Sequence, residues 1–208
     1  MNILLGRKEY ELQGVTINQY LEVQELNKKK EQISNAEYIE LLTGIDKKLI
    51  RDATVQEISF VAKALNTYYN NSTTKSPVRP LISYRDKMYG LSKPSTMTWG
   101  QWSDLEVLTS QEELDLKRIA SVLYQPCETY NVETGEYTTV LYNHDESLGR
   151  SVDFGDFLVK DILSSLLFFL KYANLLINKQ KVSLENKTKT MEESVRLMKE
   201  HTKKNLKD

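Results

Sequence analysis

Histidine, cysteine and glycine are all scarce in this chain of 208 residues, and each scarcity narrows the classes of function open to it. The two histidines, His144 and His201, stand far apart, which leaves few groups for metal binding or for proton transfer near neutral pH. The single cysteine, Cys127, makes no internal disulfide and no cysteine-based zinc site, a usage that suits a reducing cytosol. With no sequence partner marking it as a nucleophile, it is expected to be a structural thiol. The eight glycines fall singly, without the spacing of a phosphate-cradling loop or a dinucleotide fingerprint. An excess of one charge is missing as well: 28 Lys and Arg against 29 Asp and Glu give net −1, without the broad positive field of a nucleic-acid binder. The expectation is a protein that is not an enzyme and holds no cofactor and no metal.

Long uncharged apolar runs are also lacking. The first residues turn polar after Ile3-Leu4-Leu5, so no signal peptide is expected. The most apolar stretch, residues 157–177, carries Lys160, Asp161 and Lys171, whereas a spanning helix needs about 20 mostly uncharged residues. Charges at mid-bilayer cost about 2.5–3.5 kcal/mol each even on lenient scales, so a buried or partner-facing helix is the expectation, with no membrane contact.

What is present is apolar residues at 40% and charged residues at 27%, enough for a folded core. The order of local signals predicts an α+β protein, predominantly helical, with two or three short β-hairpins, capped helices and a long C-terminal helix. Ile3-Leu4-Leu5 and the alternation through Tyr10 and Leu12 read as a first hairpin around Gly6-Arg7. Thr16 with Gln19, Ser34 with Glu37 and Thr54 with Glu57 are capping boxes that open three helices, the second ending at Gly44; Asp46 caps a short turn between.

Residues 70–80, rich in Asn, Ser and Thr and holding Pro77 and Pro80, read as a loop dividing an N-terminal unit (1–70) from a second unit (81–178). That second unit opens with a hairpin around Arg85-Asp86-Lys87. Thr98 with Gln101 and Ser110 with Glu113 then mark two helices, Pro126 stops the latter, and a third hairpin turns at Glu133-Thr134-Gly135-Glu136. Lys8-Glu9-Tyr10-Glu11-Leu12 before Thr16-x-x-Gln19 parallels Lys87-Met88-Tyr89-Gly90-Leu91 before Thr98-x-x-Gln101. A degenerate internal duplication and a common hairpin-plus-helix grammar both account for this.

From about Asp153 onward, Leu158, Ile162, Leu166, Phe169, Ala173 and Leu176 step down one helix face, and Val159, Leu163, Leu167 and Leu170 widen it. A face this wide must pack on something, since fully burying one such side chain is worth about 1.5–3 kcal/mol. Residues 179–208 differ: nine Lys or Arg against five Asp or Glu give net +4, leaving −5 for residues 1–178. Glu185 with Lys189, Glu192 with Arg196 and Glu200 with Lys204 support a helix there, and Met191, Val195 and Met198 give it a narrow stripe. A solvated tail and a docking arm for another subunit are both open readings.

Asn143-His144-Asp145-Glu146 is the one place where histidine meets carboxylates. Without further ligands in sequence it reads as a polar loop after a hairpin. Trp99 and Trp102 lie three apart on one helical face, where large aromatics form core or anchor interfaces.

The context of those tryptophans carries a resemblance. Thr96-Met97-Thr98-Trp99-Gly100-Gln101-Trp102-Ser103-Asp104-Leu105-Glu106, followed by Ile119-Ala120-Ser121-Val122-Leu123-Tyr124-Gln125-Pro126, resembles a pattern in small proteins encoded among tailed-bacteriophage tail genes. Lys8-Glu9-Tyr10-Glu11-Leu12, Ile33-Ser34-Asn35-Ala36-Glu37 and Leu41-Leu42-Thr43-Gly44-Ile45 are similar to stretches of tail assembly chaperones and baseplate hub assembly proteins. The likeness spans about residues 1–177, rests on cap and turn grammar, and transfers no functional residue.

It implies a non-enzymatic protein that binds tail or baseplate subunits in the host cytoplasm during virion assembly. Its partners would be other phage structural proteins, with a homo-oligomer compatible and no small-molecule substrate, membrane or nucleic acid expected. The basic segment past Asn178 has no counterpart in the pattern, and a structural protein retained in the virion (tail, neck or packaged internal protein) would account for it. The residues expected to meet a partner are Trp99, Trp102, Leu158, Ile162, Leu166, Phe169 and Leu176.

Overall fold

The computed structural model describes residues 2–5, 8–11, 14–29, 33–72, 76–176 and 178. The fold is α+β and predominantly helical. Strands β1 (Asn2–Leu5) and β2 (Lys8–Glu11) form an antiparallel pair with Ile3 opposite Tyr10. Helices α1 (Ile17–Lys28), α2 (Asn35–Thr43), α3 (Lys47–Arg51) and α4 (Val55–Ser72) follow.

Their starts are set by the expected side chains. The Gln19 and Glu37 amides donate to Thr16 and Ser34 hydroxyls, and the Gln19 and Glu37 side chains accept the cap amides in return, at 2.9 Å in both cases. Thr54 and Glu57 make the same reciprocal pair ahead of α4. Gly44 takes φ +69°, the left-handed conformation that ends α2 at little steric cost. Helix α4 runs to Ser72, so its polar Asn70-Asn71-Ser72 end is helical where a loop was expected from residue 70. Apolar residues of these elements, among them Ile3, Leu5, Val23, Ile39, Leu42, Ile50, Val61 and Leu65, form one buried cluster.

A second set of elements starts with β3 (Leu81–Tyr84) and β4 (Lys87–Leu91). Between them Arg85 and Asp86 both take positive φ, 47° and 61°, the conformation of a two-residue hairpin turn matched to strand twist. Then come α5 (Trp99–Thr109), α6 (Leu116–Leu123), β5 (Tyr124–Tyr130), β6 (Tyr137–Thr139) and α7 (His144–Arg150). The two hairpins join through β4 and β5 into one antiparallel sheet ordered β3-β4-β5-β6, with Pro126 opposite Tyr89.

Helix α6 begins later than expected. Ser110 sits at the end of α5 and its hydroxyl donates to the Val107 carbonyl, so it is engaged in closing one helix rather than opening the next; Asp115 caps α6 instead. The C-terminal helix also begins later. A 3₁₀ segment (Ser151–Asp156) turns Phe154 inward, and the rings of Tyr89, Phe154 and Phe157 pack edge-on at centroid distances of 5.2 Å and 6.0 Å from Tyr89. Helix α8 then starts at residue 159 and is described to 176.

Residues Met1–Leu166 form one unit and Leu167–Asp208 another. The expected division at 70–80 is therefore not where the chain divides. Val15 to Ile17 pair with Phe157 to Val159: the Ile17 amide donates to the Phe157 carbonyl at 2.9 Å and the Val159 amide to the Val15 carbonyl at 3.0 Å. Arg79, in the expected linker, reaches the buried Asp161 carboxylate at 3.3 Å, and its carbonyl accepts the Tyr124 hydroxyl at 2.7 Å. Such cross-connections make the first 166 residues one body. The basic segment at 179–208 lies outside the described residues, and with it both readings of that tail.

Candidate functional site

The seven residues expected to meet a partner separate into two groups. Ile162, Leu166 and Phe169 are buried by the chain itself, Leu166 to 3% exposure, which corrects the expectation that they face another subunit. The physical reason lies in the width of the helix face: the ridge carrying them is core, and burial is what an all-apolar ridge gains most from. Leu158 is half-buried, its isobutyl group filling the space where a Cβ on Gly14 would stand, 2.8 Å away. Trp102 is half-buried too. Trp99 is 83% exposed at the first position of α5, and Leu176 is exposed on α8.

Around these, exposed apolar groups concentrate on α8. Leu167, Phe168, Leu170, Leu175 and Leu176 all reach solvent, and the Phe168 ring stands edge-on to that of Phe169 at 5.6 Å. The sequence places these residues on a helix; only the structure separates the covered ridge from the open ones. Among the described residues no helix is long and apolar enough to cross a membrane.

A second constellation was not visible in sequence. Asp104, from the middle of α5, meets Tyr142 and His144 from the segment entering α7, roughly forty residues away. His144 Nδ1 lies 2.6 Å from Asp104 Oδ2, and the Tyr142 hydroxyl donates to the same oxygen. Burial alone would raise the Asp104 carboxyl, but the hydrogen bonds from Tyr142 and His144, with the charge of Arg118 nearby, hold it below its ordinary value. Tyr142 is pushed up to about 12, first by burial and then by its bond to Asp104.

A carboxylate only accepts, so His144 carries its proton on Nδ1 and the ring is oriented by the pair. The neighbouring residues have structural posts: Asn143 caps α7, and Asp145 and Glu146 lie in its first turn, where acids favour the helix dipole. Among the described residues no group of three or more His, Cys, Asp or Glu is placed to hold a metal ion. Cys127 is half-buried, with burial raising its thiol above the ordinary value, which makes it a poorer nucleophile.

Two surface grooves accompany a larger one of about 660 Å³ that Tyr89, Cys127 and Arg150 line beside β4 and β5. One, of about 330 Å³, lies between α1 and the start of α6; Tyr20, Gln24 and Leu163 line it, and the Lys28–Glu113 ion pair at 2.6 Å closes one side. The other, of about 220 Å³, runs along β6 past Lys93, Thr98 and Tyr142. Both are shallow and mixed in polarity, without the converging polar groups of a small-molecule site. No family model, curated protein or solved structure matches the chain.

Proposed function

We propose that this is a non-enzymatic assembly protein of a tailed bacteriophage, acting in the host cytoplasm and binding tail or baseplate subunits through apolar contact. The observation that carries the reading is the run of open apolar side chains on α8, where Leu167, Phe168, Leu170, Leu175 and Leu176 lie exposed within ten residues. Contiguous exposed apolar surface of this kind is characteristic of protein-binding faces. Trp99 adds a large aromatic of the type that anchors interfaces. The resemblance of residues 96–106 and 119–126 to proteins encoded among phage tail genes supplies the biological setting.

The test is affinity capture of the tagged full chain from infected cells, with the retained proteins identified by mass spectrometry. Tail or baseplate subunits are expected, and their loss from a Trp99→Ala, Phe168→Ala double variant is expected with them. Capture of no phage structural protein would refute the reading.

A retained structural role is the second reading, favoured by the basic segment at 179–208 that an assembly factor of the resembled kind lacks. Quantitative mass spectrometry of purified particles separates the two. Recovery of the chain at fixed stoichiometry means that it stays in the virion, and its absence means that it leaves.

A further inference from the structure

Helix α7 is held to the fold without burying an apolar side chain. Its only buried residue is Ser147, while Leu148 is 45% exposed and a Cβ on Gly149 would meet nothing within 4 Å. What ties the helix down is polar and comes from three other elements. His144 and the preceding Tyr142 share one oxygen of Asp104 on α5. The Ser147 hydroxyl lies 3.0 Å from that of Ser121 on α6, and Arg150 Nη2 donates to Gln125 Oε1 on β5 at 2.6 Å. On either side the chain is anchored independently of these contacts: the Val140 amide donates to the Pro126 carbonyl at 3.0 Å, and Phe154 is fully buried.

The seat under α7 is polar as well. Ser121 and Gln125, both fully buried, meet it through a hydroxyl and a carboxamide, and Asp104 through its carboxylate. Water hydrogen-bonds such groups nearly as well as α7 does, so lifting the helix exchanges one set of partners for another. An apolar seat would resist exposure through the hydrophobic effect; this one does not.

The closed position also leaves donors unmatched. Among the described residues, the buried side-chain nitrogens without a hydrogen-bond partner are Arg118 Nε and Arg150 Nε. Arg150 belongs to α7, and Arg118 lies on α6, where its charge acts on both Asp104 and Tyr142. Both N–H groups would gain water on opening, which narrows the free-energy gap between the closed and open positions.

We infer that residues 141–151 form a strap that swings off Asp104, Ser121 and Gln125 as one unit while the rest of residues 1–166 stays folded. Closed, the strap covers the Ser121 hydroxyl and Arg118 Nε; open, it presents them to solvent. Local openings of this kind occupy the low end of the range of free energies found within one folded chain. The inference concerns a face other than α8 and holds whichever subunits the protein binds.

Amide hydrogen exchange of the full chain, followed residue by residue by NMR at low urea, tests it. The amides of Ser147–Arg150 are expected to exchange at least about a hundredfold faster than those of Ile119–Leu123, each relative to its rate in an unstructured peptide. Urea should barely change those rates, because little surface is exposed on opening. Asp104→Asn is expected to speed all four amides together by about tenfold, since the bonds it weakens lie outside the helix and hold the strap as a whole. In a Cys127→Ser background, Ser121→Cys with Ser147→Cys places thiols where the wild-type hydroxyls stand 3.0 Å apart. The disulfide formed there is expected to slow exchange across α7 at least about tenfold relative to the reduced form.

Exchange at Ser147–Arg150 that matches Ile119–Leu123 in rate and in urea dependence overturns the proposal, because α7 then opens only with the whole fold. Fast exchange that neither Asp104→Asn nor the disulfide alters overturns it too, because the helix then frays in place.

Discussion

Gln19 and Gln101 perform the same task in two parts of the chain. Each lies three residues after a threonine that caps its helix, and each sends its side-chain amide to carbonyls in the last turn of the following helix: Gln19 to Leu41 and Leu42 at 3.1 and 3.3 Å, Gln101 to Val122 at 2.7 Å. The parallel between the two hairpin-plus-helix units thus extends from residue pattern to tertiary contact, which cap grammar alone does not require. They differ in one respect. Gln19 also closes its capping box, whereas the Gln101 amide reaches Ser92 Oγ at 2.8 Å instead.

Burial separates the two energetically. Gln101 is 3% exposed, so Gln101→Ala strands the Ser92 hydroxyl and takes from the Val122 carbonyl one of its two side-chain donors, leaving the Gln125 amide at 3.0 Å. It is expected to cost about 1–3 kcal/mol for the unsatisfied group, plus the lost packing. Gln19→Ala, in a half-exposed place, is expected to cost less. Urea unfolding of the two variants side by side gives the comparison.

Glycine positions give a paired prediction on the sheet and on α5. A Cβ on Gly90 would stand 2.5 Å from two carbons of the Tyr137 ring, whose hydroxyl donates to the Leu91 carbonyl at 2.7 Å. Gly90→Ala is expected to push the ring out and destabilise by about 1–3 kcal/mol. Gly100, inside α5, has open space at its Cβ, so Gly100→Ala is expected to stabilise by up to about 1 kcal/mol. Melting temperatures should therefore move in opposite directions.

The Asp104 cluster predicts a pH dependence. Because the folded-state carboxyl titrates below its ordinary value, its ionised form contributes stability above the unfolded-state value, and that contribution is lost as pH falls through the folded-state value. Asp104→Asn is expected to lower stability at pH 7 by about 1–3 kcal/mol through its charged hydrogen bonds. The gap to wild type should narrow as the solution is acidified below pH 4. Denaturation across a pH series measures it, and a gap independent of pH would show that the charge has no part in it.

On α8 the covered and open ridges respond differently. Leu166→Glu places a charge in the core and is expected to abolish folding, read as loss of the cooperative unfolding transition. Trp99→Ala and Phe168→Ala change exposed groups and are expected to leave the melting temperature within a few degrees while reducing capture of partner subunits.

Local signals were legible in the sequence and long-range ones were not. Thr16, Ser34, Thr54 and Thr98 announce their helices because a cap is a contact within four residues, and the Arg85-Asp86 turn is equally local. Ser110 misleads because the same hydroxyl can close a helix as readily as open one. The joining of β4 to β5, the Asp104–His144 contact and the Arg79–Asp161 pair all link residues more than thirty positions apart. No periodicity encodes such links. Nor does an amphipathic period say which ridge of a broad face is covered: Ile162 and Leu167 satisfy the same apolar pattern, and only packing distinguishes them.

The pairing of residues 15–17 with 157–159 bears on how the protein is made. Because a ribosome delivers the amino-terminal end first, Ile17 and Val15 emerge long before the segment 157–159 that pairs with them has been translated. The amide and carbonyl by which the start of α1 is tied to the rest of the fold therefore gain their partners only after some hundred and forty further residues have been synthesised.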